Sequence, residues 1–123
     1  KIVKDIWPGS DDYGDGNNGY PQELFAADGA LYFNARDGIH GEELWRSDGT
    51  IAGTKMLKDL YPGWDDSSPA TMAQIGDTLM FSARTLSSGI EWWSLDLNSL
   101  TTDADCNYFP ILTPSGKMSV ICL

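Results

Sequence analysis

Apolar and polar residues alternate with a period of two along much of the chain. Leu31, Phe33 and Ala35 alternate with Tyr32, Asn34 and Arg36, and Leu79, Phe81 and Ala83 head a second run of the same kind. Period two is the mark of strands that bury one face. Asp28-Gly29, Asp37-Gly38, Asp48-Gly49, Gly76-Asp77 and Ser87-Ser88-Gly89 punctuate the runs with residues that supply the positive φ of tight turns. The pattern predicts strands over 22–27, 30–36, 42–47 and 54–60, and again over 70–75, 78–84 and 90–96. No stretch joins helix caps to apolar residues every three or four positions, so no helix is predicted.

The chain also resembles itself. Residues 1–12, KIVKDIWPGSDD, lie over residues 55–66, KMLKDLYPGWDD, at an offset of 54 (Lys1 to Lys55). Further on the offset becomes 48: Pro21 matches Pro69, Phe33 matches Phe81, Glu43 matches Glu91 and Trp45 matches Trp93. The alignment assigns the difference of six to a loop insertion at residues 14–19. This gives a first unit over 1–54, with an N-terminal strand at 1–6 and further strands within 22–47, a second over 55–100, and a tail over 101–123. Four antiparallel strands in about 48 residues is the size of a propeller blade, and two blades are too few to close a ring. The expected fold is all-β: two four-stranded antiparallel, propeller-like blades and a short C-terminal β-hairpin tail.

The second unit lacks a fourth strand. Residues 55–60 finish the first unit, but after Asp96 the second runs into Leu97-Asn98-Ser99-Leu100. Lys1, Ile2, Val3, Lys4, Asp5 and Ile6 have the right pattern and no blade of their own to finish. Three sources could complete the acceptor edge Glu91, Trp92, Trp93, Ser94 and Leu95: residues 1–6 of a neighbouring molecule, the tail in cis, or the next unit of a longer array. In the tail, residues 107–113 and 117–123 flank the turn signal Pro114-Ser115-Gly116. A turn centred on Pro114 sets Cys106 opposite Cys122, a candidate disulfide that leans toward an oxidising, extracellular setting.

The string Glu43-Leu44-Trp45-Arg46-Ser47-Asp48-Gly49-Thr50, with Ala52-Gly53-Thr54 and Lys58-Asp59-Leu60 after it, resembles the ELWxxDGT repeat family. The resemblance covers roughly residues 1–96. It implies a secreted or surface protein, propeller-like, with no enzymatic activity and no catalytic residue set. The second unit departs from the pattern, with Thr85-Leu86 in place of Asp37-Gly38 and Asp96-Leu97-Asn98 in place of Asp48-Gly49-Thr50.

Charge and chemistry narrow the reading. A net charge of −10, without a Lys/Arg cluster, argues against nucleic acid. No apolar run is long enough to insert in a membrane as a helix, and the chain, with neither an initiator Met nor a signal peptide, reads as mature or partial. No catalytic motif is present, and the lone His40 reads as a turn residue, so no enzyme is expected. Asp11, Asp12, Asp15 and Asn17 offer hard oxygens on a Gly-rich loop and are the candidate Ca²⁺ ligands, without EF-hand spacing. The alternative is an ordinary acidic surface loop, and no other cofactor is suggested. Trp7, Trp64 and Trp92 are the candidate sugar platforms, whereas Trp45 and Trp93 are expected in the core. Lacking an Asn-x-Ser/Thr sequon, the chain could carry only O-linked glycans, with Ser67, Ser68, Thr71, Thr101 and Thr102 as candidates. The sequence thus reads as a non-enzymatic extracellular structural protein that polymerises head to tail with itself by strand exchange into a fibre. The alternative is a carbohydrate- or calcium-dependent binding module of a longer surface protein.

Overall fold

A computed structural model of the chain describes residues 1–100, 108–112 and 118–122. They form two antiparallel sheets. The first has the order β1 (Gln22–Ala27), β2 (Ala30–Arg36), β3 (Glu42–Ser47) and β4 (Lys55–Lys58). In the second, β5 (Ala70–Ile75), β6 (Thr78–Thr85) and β7 (Gly89–Asp96) are followed by β8 (Tyr108–Leu112) and β9 (Met118–Cys122). A single 3₁₀ turn, Leu97–Leu100, is the one helical element among the described residues.

The two sheets share one register. Gln22 faces Asn34 as Ala70 faces Ser82, and Phe33 faces Trp45 as Phe81 faces Trp93, each at the offset of 48. Even the irregularities coincide. The ladder shifts between Gln22 and Phe25 and between Ala70 and Ala73, where Glu23 (φ 54°) and Thr71 (φ 51°) take up left-handed backbone. Asp28 (φ 49°) and Gly29 (φ 76°) form the β1–β2 turn, whose two positive angles match the right-handed twist of the flanking strands.

The sheets stack through unlike faces. Leu79, Phe81, Ala83, Trp93 and Leu95 of the second sheet share one core with Tyr32, Leu44 and Leu57 of the first and with Leu60 just beyond β4. Tyr32 (1% exposed) and Asn34 (3%) are therefore buried, although the alternation places them outward. The second sheet covers the face that period-two patterning assigns to solvent, so β2 is buried on both sides. The opposite face of the first sheet carries Phe33, Ala35 and Trp45, packed by Ile6, Leu31 and Met56.

The tail does bring a strand to the second sheet. β8 pairs with the end of β7 at Ser94–Leu112 and Leu95–Ile111. In the β8–β9 hairpin Cys122 pairs with Tyr108 and Leu112 with Met118. Cys106, the other half of the candidate disulfide, lies outside the described residues, as do Thr101 and Thr102. Residues 1–6 enter no ladder within the described residues.

The stacking makes the two faces of the second sheet unequal in energy. Phe81→Ala should cost about 3–5 kcal/mol in a denaturant titration, because Phe81 is fully enclosed. Trp92→Ala, on the open face and 46% exposed, should cost the single chain less than about 1 kcal/mol.

Candidate assembly edge

A buried carboxyl closes the first sheet. Glu43 on β3 is wholly enclosed and faces Ala35 across the ladder. Its Oε2 accepts from the Leu60 N–H at 2.9 Å and from the Ser67 hydroxyl at 2.5 Å, and its Oε1 accepts from the Tyr61 N–H at 3.2 Å. These bonds pin the chain leaving β4 back onto β3. Beside them, the Glu42 N–H donates to Asp66 Oδ1 at 2.6 Å, and the Glu42 carbonyl accepts from the N–H groups of Ser67 and Ser68. The Asn34 side-chain amide donates to the Pro69 carbonyl at 3.3 Å, and Arg36 pairs with Glu42. Segment 60–69 thus forms a lid over the end of the first sheet.

At matching positions the second sheet has no such lid among the described residues. Glu91, the counterpart of Glu43, is exposed. Trp92 is 46% exposed where Leu44 is 1%, and Ile90 is 74% exposed. Among the described residues no strand pairs with the outer edge of β7 before Ser94. An open groove of about 470 Å³ lies alongside, lined by Trp64, Asp66, Ser68, Ser82, Arg84 and Ile90. Ser82, Arg84 and Ile90 match Asn34, Arg36 and Glu42 at the offset of 48, so the groove occupies the place that the lid fills on the first sheet.

The N-terminal segment shows the complementary mismatch. Ile6 packs against Phe33, Ala35 and Trp45, just as Leu60 packs in the cluster containing Phe81, Ala83 and Trp93. Lys4 Nζ holds the segment to the Thr54 carbonyl at 2.8 Å. Yet Ile2 (74%) and Val3 (43%) are exposed, whereas Leu57, the counterpart of Val3, is 2% exposed. Residues 1–6 therefore sit on the first sheet as the β4 segment sits on the second, with the ladder partner missing.

The other candidates are dispersed. Asp11 Oδ1 accepts from the N–H groups of Tyr13 and Asp15, and the Asn17 amide donates to the Pro8 carbonyl, so both help to hold their own loop. Among the described residues no group of three or more His, Cys, Asp or Glu side chains is placed to hold a metal. Ser67 is buried and donates to Glu43 and to the Glu42 carbonyl, which removes its hydroxyl from glycan attachment in the folded chain. Ser68 and Thr71 are exposed. His40 Nδ1 lies 2.7 Å from Asp37 Oδ2, inside its turn. Trp64 is 78% exposed, while Trp7 is half-buried over Gly38. The role of Glu43 is not foreseen from sequence, although a carboxylate embedded in the apolar Leu44-Trp45 run is the signal that marks it.

No protein-family model, curated protein or solved structure matches the chain.

Burial pushes the Glu43 carboxyl up to about 8, against the lowering effect of its bonds to Ser67, Leu60 and Tyr61, and nearby Asp59 adds to the rise. Unfolded, this group titrates near its ordinary value of 4.5. Between those values the native chain keeps a proton that the unfolded chain has lost, so stability should fall as pH rises from about 4.5 to about 8. Thermal melts across that range should show this decline, and Glu43→Gln should flatten it.

Proposed function

We propose that this chain is a non-enzymatic, self-assembling subunit, in which residues 1–6 of one molecule add a strand to the second sheet of the next. Each sheet then acts as a propeller-like blade in a head-to-tail stack. The observation that carries this reading is the paired mismatch in burial. The positions that β4 and its lid bury on the first sheet are open on the second, while a near-copy of the β4 sequence stands without a ladder partner among the described residues. An interface between unlike patches does not close on itself as a dimer does, so it extends into a filament or a larger ring. An extracellular setting follows from the resemblance to secreted repeat proteins and from the cysteine pair in the tail.

The register of β4 on β3 defines how the incoming strand would lie. Leu44 faces Lys58, Trp45 faces Met56 and Arg46 faces Lys55. Transferred to the second sheet, Lys4 faces Trp92, Ile2 faces Trp93 and Lys1 faces Ser94. β8 holds Ser94 and Leu95, so the two strands meet only at Ser94 and β8 must give up that one pair. Backbone hydrogen bonds would supply affinity, and Val3 would fill the position that Leu57 fills on the first sheet.

Replacing Ile2 and Val3 together by Asp tests the reading, since both side chains are exposed in the single chain. Light scattering after size exclusion should find large species for the native chain and monomer for the variant, at the same melting temperature. A variant that assembles like the native chain, or a native chain that stays monomeric at high concentration, would overturn it. The second outcome would instead favour a binding module.

A further inference from the structure

We infer that Glu91 and the groove beside it form a receptor for residues 6–21 of a second copy of this chain. This rests on the self-assembly reading and goes beyond strand addition, because it assigns a docking role to a carboxylate and a loop outside the added strand. On the first sheet the equivalent receptor is occupied.

There, Glu43 accepts from the N–H groups of Leu60 and Tyr61, and Asp66 accepts from the Glu42 N–H. At the offset of 54, Leu60 and Tyr61 match Ile6 and Trp7, and Asp66 matches Asp12. Glu91 of one molecule accordingly accepts from the Ile6 and Trp7 N–H groups of the next, and the incoming Asp12 accepts from the Ile90 N–H. The rest of the loop follows the same template. The backbone moves the insertion from 14–19 to 13–18: Gly19 accepts a bond from Arg36 as Ser67 accepts one from Arg84, so Gly19 stands where Ser67 does, and Tyr20 (φ 45°) matches Ser68 (φ 46°). The Gly19 and Tyr20 N–H groups therefore aim at the Ile90 carbonyl, as those of Ser67 and Ser68 aim at that of Glu42.

The arginine position follows the same template. On the first sheet Arg36 pairs with Glu42 and lies 4.0 Å from Asp66. On the second, Ile90 stands where Glu42 would be, and Arg84 stacks over the Tyr61 ring at 5.1 Å from its centroid. Asp65 and Asp66 already line this groove with Arg84, and of the incoming loop it is Asp12 that takes the place Asp66 holds 4.0 Å from Arg36. Glu43 anchors the lid of its own sheet through three hydrogen bonds. Its counterpart Glu91 is exposed and anchors no such segment among the described residues.

The proposal is tested with Glu91→Ala beside Glu91→Gln in the full chain, followed by sedimentation velocity over a concentration series. Removing the carboxylate strands two backbone donors in a closed interface, a loss equivalent to roughly 10- to 100-fold in association. Glu91→Ala should raise the concentration needed for assembly by that factor at unchanged melting temperature, and Glu91→Gln, which keeps an acceptor oxygen, should recover much of it. If Glu91→Ala assembles like the native chain while changes at Ile2 and Val3 abolish assembly, the docking role is wrong and strand addition stands. If neither change alters assembly, both are wrong.

Discussion

The two sheets hold together by burying the Leu79, Phe81 and Leu95 face of one against the Tyr32 and Leu44 face of the other, and these are opposite faces of equivalent strands. Burying large apolar side chains of this kind contributes roughly 1.5–3 kcal/mol each, which is enough to fix the pair. A contact between unlike faces cannot be satisfied at both ends of a two-sheet stack. One end keeps a covered face without its ladder neighbour, and the other keeps an open face without its lid. The exposure of Ile90 and Trp92 and the lack of a ladder partner for residues 1–6 among the described residues are therefore two consequences of one geometry.

Glu43 shows how the interior junction is specified. A carboxyl in an apolar setting is costly unless its oxygens are occupied, and here two backbone N–H groups and one hydroxyl occupy them. Those donors belong to a segment 17 to 24 residues away in the chain, so the carboxyl selects one arrangement of that segment and rejects slipped ones. Hydrophobic burial alone would tolerate a shift of the lid, whereas these three bonds would not. The same residue type at Glu91 is left in solvent, and in the proposed assembly it makes the equivalent selection from outside the chain.

Much of the architecture is legible in the residues. Period-two runs and Asp-Gly turns locate seven strands to within a few residues at their ends, because both signals are local. What fails is the side of β2: Tyr32 and Asn34 face the second sheet, and no pattern within residues 30–36 reveals that another sheet lies above them. The pairing of Tyr108 with Cys122 is likewise not legible, because a register is decided along the whole hairpin. Of the candidate edge, the offset from Glu43 and Leu44 locates Glu91 and Trp92, and the structure shows that both are exposed. That Ser67 serves as a buried donor to Glu43, and is no glycan site, is a long-range contact that its Ser-Ser-Pro neighbourhood does not betray.

A covalent trap at the proposed junction tests the head-to-tail register most directly. The pairing of Leu44 with Lys58, carried over to the second sheet, brings Lys4 of one molecule opposite Trp92 of the next, within the roughly 4.4–6.8 Å Cα separation that a disulfide spans. Lys4→Cys combined with Trp92→Cys, oxidised and run without reductant, should give a ladder of covalent multimers that neither single substitution gives. A double variant that remains monomeric after oxidation would contradict the register on which the proposed assembly depends.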